Sequence, residues 1–341
     1  MNNYNTSYNP FYNGYNFYSP ENALRESNSK SLSRIYSNLG WGLCTLYAIL
    51  SVSQVFILLI STFVGGDMTS QGWFILFLTD VPLYGVSIWA LLFFTSKLEA
   101  KKPKRKKFGF GSFISAIPIM AFIMFAGSIV GSVVHSIMQQ IMGVEINDAL
   151  TETTSAMSLP VQVIFLVIIA PLGEELIFRK LFLDRTARYG EGAAILYSAL
   201  TFALFHGNTM QLFYAFGAGL LLAYVYVRTG SYFCCVFLHA VANALFGIVF
   251  PYFSQLIYSN DGTLSGALEV LSYSMYFFEW MLIIAGLVIL IVFLACKKVY
   301  VEKSEYALLK SPAYSAFSNA SFIVFAALIG LTIFASYLPQ Q

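Results

Sequence analysis

The sequence points to an all-α, polytopic membrane helix bundle with eight or nine transmembrane helices. Hydrophobic residues make up 58% of its 341 positions and charged ones 11%, less than half the roughly 25% charged content of soluble domains. Apolar stretches near the ~20 residues needed to cross hydrocarbon recur along the chain. These runs are continuous rather than alternating. Backbone polar groups inside lipid must be satisfied internally, so closed helices fit and a barrel does not.

The leading MNNYNTSYNPFYNGYNFYSP holds six Asn and five Tyr with no charge. Residues 1–40 accordingly read as a disordered Asn/Tyr-rich tail, a composition that need not form a core. Spans are expected near 41–64, 72–95, 112–141, 160–182, 193–207, 210–227, 231–252, 274–296 and 318–338. The first of them is long enough to span and reads as a signal anchor rather than a cleavable leader. The chain then divides into N-terminal transmembrane helices over 41–155, a core over 156–252 and C-terminal transmembrane helices over 253–341. Cys44, Cys234, Cys235 and Cys296 lie within or at the ends of apolar runs without C-x-x-C spacing, so they read as packing residues and not as a metal or disulfide framework.

Charge is distributed unevenly. The segment KLEAKKPKRKK between the second and third spans carries seven Lys and Arg in eleven residues, whereas 108–178 has none. Arg25, Lys30 and Arg34 precede span one, Arg185 and Arg188 follow span four, Arg228 follows span six, and Lys297 and Lys298 follow span eight. The intervening loops contain Asp67, then Glu145, Asp148 and Glu152, then Asp261, and no Lys or Arg. By the positive-inside rule the N-terminus and the basic loops are cytoplasmic in a multi-pass cell-membrane protein. The basic loop can also attract anionic membrane lipid, and no nucleic-acid partner is expected; the net charge of +2 says nothing of partners, because in a membrane protein what matters is where the charges lie.

Ionisable groups inside spans are costly and by default mark function. The census is Asp80, His135, Glu174, Glu175, Arg179, His206, His239 and Glu279. Lone His135 reads as a packing or capping residue, and Asp80, two residues before Pro82, as a partner for a kinked helix. The rest form a pattern: EELIFR in helix four, FALFH in helix five, HAVAN in helix seven. Glu175 and Arg179 are i,i+4 and can pair on one face, leaving Glu174 turned by about 100°. His239 and Asn243 share a face in the same way. With an inner turn over 188–192, Glu174 and His206 each lie fourteen residues from it, roughly 21 Å along a straight helix. His239 and Asn243 lie nine and thirteen residues past Gly230, roughly 14 and 20 Å. One carboxylate, two imidazoles and one carboxamide can therefore converge within the membrane.

Such a set supports water activation. A carboxylate in a poorly hydrated site is a competent general base, while His and Asn donate to a developing oxyanion. Alternatively Glu174, His206 and His239 hold zinc, with an open position for water. The residue types leave both routes open.

Glu-Glu-x-x-x-Arg, Phe-x-x-x-His and His-x-x-x-Asn, on membrane helices in that order, resemble the CPBP family of CAAX proteases and bacteriocin-processing (Abi) enzymes. The resemblance covers about 160–250. It implies an intramembrane endopeptidase in which Glu174 activates water with help from His206, His239 and Asn243 stabilise the oxyanion, and Glu175 and Arg179 orient the site. The family's metalloprotease label implies zinc on His206 and His239, although a metal-free glutamate mechanism is also argued for eukaryotic relatives. Substrates implied are peptides or membrane proteins, prenylated or bacteriocin-like. Two other readings stand beside it: a catalytically silent scaffold or immunity protein, and a transporter, for which APLGEE would need a matching broken segment in the other half. Only AIPIM around Pro118 offers one.

Overall fold

The computed structural model describes residues 19–64, 72–106, 108–145, 157–259 and 265–338. The helices are α1 (Pro20–Val64), α2 (72–95), α3 (Phe110–Met142), α4 (Leu159–Tyr189), α5 (Glu191–Phe205), α6 (Thr209–Thr229), α7 (Tyr232–Tyr258), α8 (Gly266–Ala295), a short α9 (Pro312–Phe317) and α10 (Ala320–Ser336). Among the described residues there is no strand. Six helices, α1, α3, α4, α6, α7 and α8, are long and apolar enough to cross a membrane, which makes this a multi-pass membrane protein. The stretches 81–95, 191–205 and 320–336 are apolar but shorter, and an expected total of eight or nine crossings goes beyond the six that length and composition support.

The polar N-terminal segment departs from the expectation. Residues 1–18 lie outside the described residues, but 20–40, read above as disordered tail, is the first half of α1. The cause is a stripe that overall polarity conceals: Leu32, Ile35, Leu39, Leu43, Leu46 and Leu50 recur every three or four residues, and all are buried. At the start, the Ser19 hydroxyl accepts from the Asn22 N–H at 3.2 Å. Glu21–Arg25 and Glu26–Lys30 form i,i+4 pairs, and the helix docks on the segment before α9 through Asn28 Nδ2 donating to the Ala307 carbonyl.

Close backbone approach joins α3 to α6. A Cβ on Gly127 would fall 2.5 Å from the Tyr214 Cα, and one on Gly131 would fall 2.6 Å from the Met210 carbonyl oxygen. Gly127 and Gly131 thus form a G-x-x-x-G face that lets two membrane helices touch.

Three helices widen into π-helical turns, at Val81–Ser87 in α2, Val163–Ile169 and Leu176–Leu181 in α4, and Leu245–Val249 in α7. Pro82, Pro171 and Pro251 lie in or just beyond three of these turns. A proline brings no N–H and crowds the preceding turn, so the ladder opens there. Pro118, by contrast, sits inside α3 without such a widening.

The basic ends gather on one face. Lys101 N–H donates to the Asp184 carbonyl, Lys106 N–H to the Arg228 carbonyl and Glu191 N–H to the Glu302 carbonyl, so the 97–106 segment, the α4–α5 turn, the end of α6 and the segment after α8 meet. Their centre is Glu191, about 5% exposed. It pairs with Lys106 Nζ at 2.6 Å and with Arg228, and accepts from the Glu302 N–H at 2.8 Å. Glu191→Gln leaves the buried Arg228 without its counter-charge. It should lower stability by about 2 kcal/mol, the low end for a broken buried pair because Lys106 reaches water. Thermal unfolding of the purified protein reads this, and an unchanged midpoint would remove the clasp from the stability argument.

Candidate active site

Three of the widened turns, Val81–Ser87, Val163–Ile169 and Leu245–Val249, border a cavity of about 790 Å³. Its polar lining includes Asp80, Tyr84, Glu174, His206, His239 and Asn243. Helix α4 supplies the carboxylates at its proline break. Ala170 N–H reaches back to the Phe165 carbonyl in the i to i−5 pattern of the widened turn. In that register the next donor would serve the Leu166 carbonyl, but residue 171 is proline and has none. Asn243 Nδ2 donates to that carbonyl instead, at 2.8 Å. One Asn243 N–H therefore ties α7 to the break beside the carboxylates, and the amide keeps a second N–H.

Glu174 and Glu175 have different surroundings. The Glu175 side chain is sealed, at 0% exposure, with Oε1 2.8 Å from His239 Nδ1 and Oε2 3.0 Å from Arg179 Nε. The contact with Arg179, equally buried, is a charge pair without an aligned hydrogen bond. The guanidinium face rests 4.5 Å from the Phe202 ring centroid. Glu174 lines the cavity at 16% exposure, with Oε2 3.6 Å from His239 Nε2, beyond hydrogen-bond range.

His206 sits where α5 stops. The helix runs 15 residues, roughly 22 Å and short of the ~30 Å hydrocarbon core. Gly207 takes φ 67°, a conformation open to glycine, and Asn208 caps α6 by accepting from the Gln211 N–H at 2.8 Å. His206 Nδ1 donates to the Phe202 carbonyl at 2.9 Å, which fixes the tautomer and leaves Nε2 to act elsewhere. Phe202, the first residue of the Phe-x-x-x-His motif, is the hub: its ring meets His206 and His239 edge-on, besides Arg179.

All six motif residues are thus brought together, four lining the cavity and Glu175 with Arg179 behind it. The depths differ from the straight-helix expectation. His239, nine residues from Gly230, meets Glu174 and Glu175, which lie further along the chain from their own turn. The last turns of α4 account for this, because residues 181–190 are all buried and lie beneath neighbouring segments. His135 lies outside the cavity lining, on α3, within hydrogen-bond reach of Thr209 and Tyr337. Asp80 and Tyr84 of α2 join the site from far upstream. The census contained Asp80, but an aromatic residue in an apolar span gives no local signal for Tyr84.

Among the described residues no group of three or more His, Cys, Asp or Glu is disposed to hold a metal ion. Each imidazole has its Nδ1 engaged, His239 on Glu175 and His206 on the Phe202 carbonyl, and keeps its Nε2.

Residues 156–245 match a family described as type II CAAX prenyl endopeptidase Rce1-like. The match spans all three motifs and supports a CPBP-family intramembrane protease, while leaving α2 outside. Neither the curated proteins nor the solved structures return a match.

Proposed function

We propose that the protein is an intramembrane endopeptidase that hydrolyses a peptide bond with water activated by Glu174. The observation that carries this is the contrast between neighbours: Glu174 opens on the cavity, whereas Glu175 is sealed on Arg179 and His239. In the reaction Glu174, assisted by His206, takes a proton from water as the oxygen attacks the scissile carbonyl carbon. The free Asn243 N–H stabilises the oxyanion together with His239 in its imidazolium form, which donates from Nε2 while Nδ1 donates to Glu175. Collapse breaks the C–N bond, and the proton held by Glu174 passes to the leaving amine. Glu175 and Arg179 hold the His239 ring in place. No step requires a metal.

The substrate is a peptide segment of a membrane-associated protein. The protein lies in the cell membrane with its N-terminus and basic face in the cytoplasm, a placement supported by the clustering of basic ends on one face.

Purified protein in lipid bilayers, offered prenylated and bacteriocin-like peptides in ¹⁸O-water, should yield products with one ¹⁸O in the new carboxylate. Treatment with a strong chelator should leave the rate unchanged. Cleavage no faster than in a Glu174→Gln control would defeat the protease reading, and activity lost to chelation and restored by zinc would defeat the metal-free one.

A further inference from the structure

We infer that Tyr84 is a positioning residue for Glu174, its phenolic O–H holding one carboxylate oxygen so that the other faces the attacking water. The inference rests on Glu174 being the water-activating base.

The placement starts at Gly173, the residue before Glu174. A Cβ there would lie 2.0 Å from Tyr84 Cε1 and 2.5 Å from Cζ. The hydroxyl-bearing edge of the ring is therefore seated directly on the backbone beside Glu174, in a socket that any side chain would fill. Tyr84 stands in the widened turn Val81–Ser87 of α2, four residues after Asp80, and both line the cavity with Glu174.

The chemistry favours a donor at this point. An ionised carboxylate only accepts hydrogen bonds, and a phenol donates one without bringing a charge. The other polar groups near Glu174 each have one N–H engaged elsewhere, His239 Nδ1 on Glu175, His206 Nδ1 on the Phe202 carbonyl and one Asn243 N–H on the Leu166 carbonyl, and the second Asn243 N–H is assigned above to the oxyanion. Among the described residues no Lys or Arg lines the cavity. A general base works only when its carboxylate is held in register with the water it deprotonates, and Tyr84 is the neutral donor seated beside it.

Phenylalanine would fill the Gly173 socket equally well, so Tyr84→Phe separates positioning from packing. It should keep the thermal midpoint and KM and lower kcat about tenfold, the effect of one hydrogen bond to a charged group. In a Glu174→Asp background, where the shorter carboxylate is withdrawn from the phenol, the same change should cost less than about twofold. Unchanged kcat in Tyr84→Phe, or an equal loss in both backgrounds, would overturn the inference. A second measurement needs no substrate. Infrared spectra of the resting protein should show a carboxylate stretch that Glu174→Gln removes and that Tyr84→Phe shifts. If the band stays in place, the phenol serves Asp80 or water and the inference fails, whatever the activity. Failure of the protease reading registers separately, as wild-type turnover in Glu174→Gln.

Discussion

Glu174→Gln should lower peptide hydrolysis about a thousandfold, within the range that a positioned general base supplies, while the fold and its thermal midpoint stay close to wild type. The two expectations follow from the same surroundings. The amide has the size of the carboxylate and still accepts a hydrogen bond, but it cannot take the proton from water. Nothing buried depends on the Glu174 charge, since Arg179 is paired with Glu175, and His239 stands 3.6 Å from Glu174 while donating from Nδ1 to Glu175 at 2.8 Å. Initial rates and unfolding curves on the same preparation check both halves. Turnover at the wild-type rate would remove Glu174 from the chemistry, and with it the distinction from a silent scaffold.

The parts of this molecule that were legible in the sequence are those encoded by periodicity and by short spacing. Continuous apolar runs marked each helix from α2 to α8, and i,i+4 spacing alone put Glu175 with Arg179. The first half of α1 was not legible by composition because its buried aliphatic positions Leu32, Ile35 and Leu39 are diluted by Ser, Asn and charged residues. The stripe is visible only when every third or fourth position is compared. The widened turns were half legible. Pro171 announced a break, but nothing local stated that the orphaned Leu166 carbonyl would be met by Asn243, 77 residues away. Adjacency of Glu174 and Glu175 implied two different faces, whereas which face meets the cavity depends on the packing of α7 and α5 against α4. Tyr84 depends on a contact between α2 and Gly173 that no spacing within either helix encodes. The basic loop was read for topology and for attraction to anionic lipid, and its Lys106 also anchors the Glu191 clasp.

Glu175→Gln should act on stability before it acts on chemistry, costing about 3–5 kcal/mol, the usual cost of breaking a buried charge pair from one side. Arg179 is fully buried, and its two Nη atoms find no hydrogen-bond partner among the described residues. Without the Glu175 charge, the guanidinium retains chiefly the Phe202 ring, 4.5 Å away, and a cation–π contact offsets only about 2 kcal/mol even when desolvated. The same substitution replaces the anionic acceptor that orients His239 with a neutral amide, so activity in the surviving folded fraction should fall as well. Pairing it with Arg179→Met distinguishes the two effects. Removing both charges eliminates the uncompensated ion and should recover most of the lost stability, yet His239 remains without its anionic partner and turnover should stay low. Unfolding and rate measurements on the two single variants and the double variant complete the cycle. If Glu175→Gln is as stable as wild type, the pair does not hold opposite charges in the folded protein. If it alone abolishes hydrolysis while Glu174→Gln remains active, the roles of the two carboxylates are exchanged, and the sealed Glu175 side chain must open to water during the reaction.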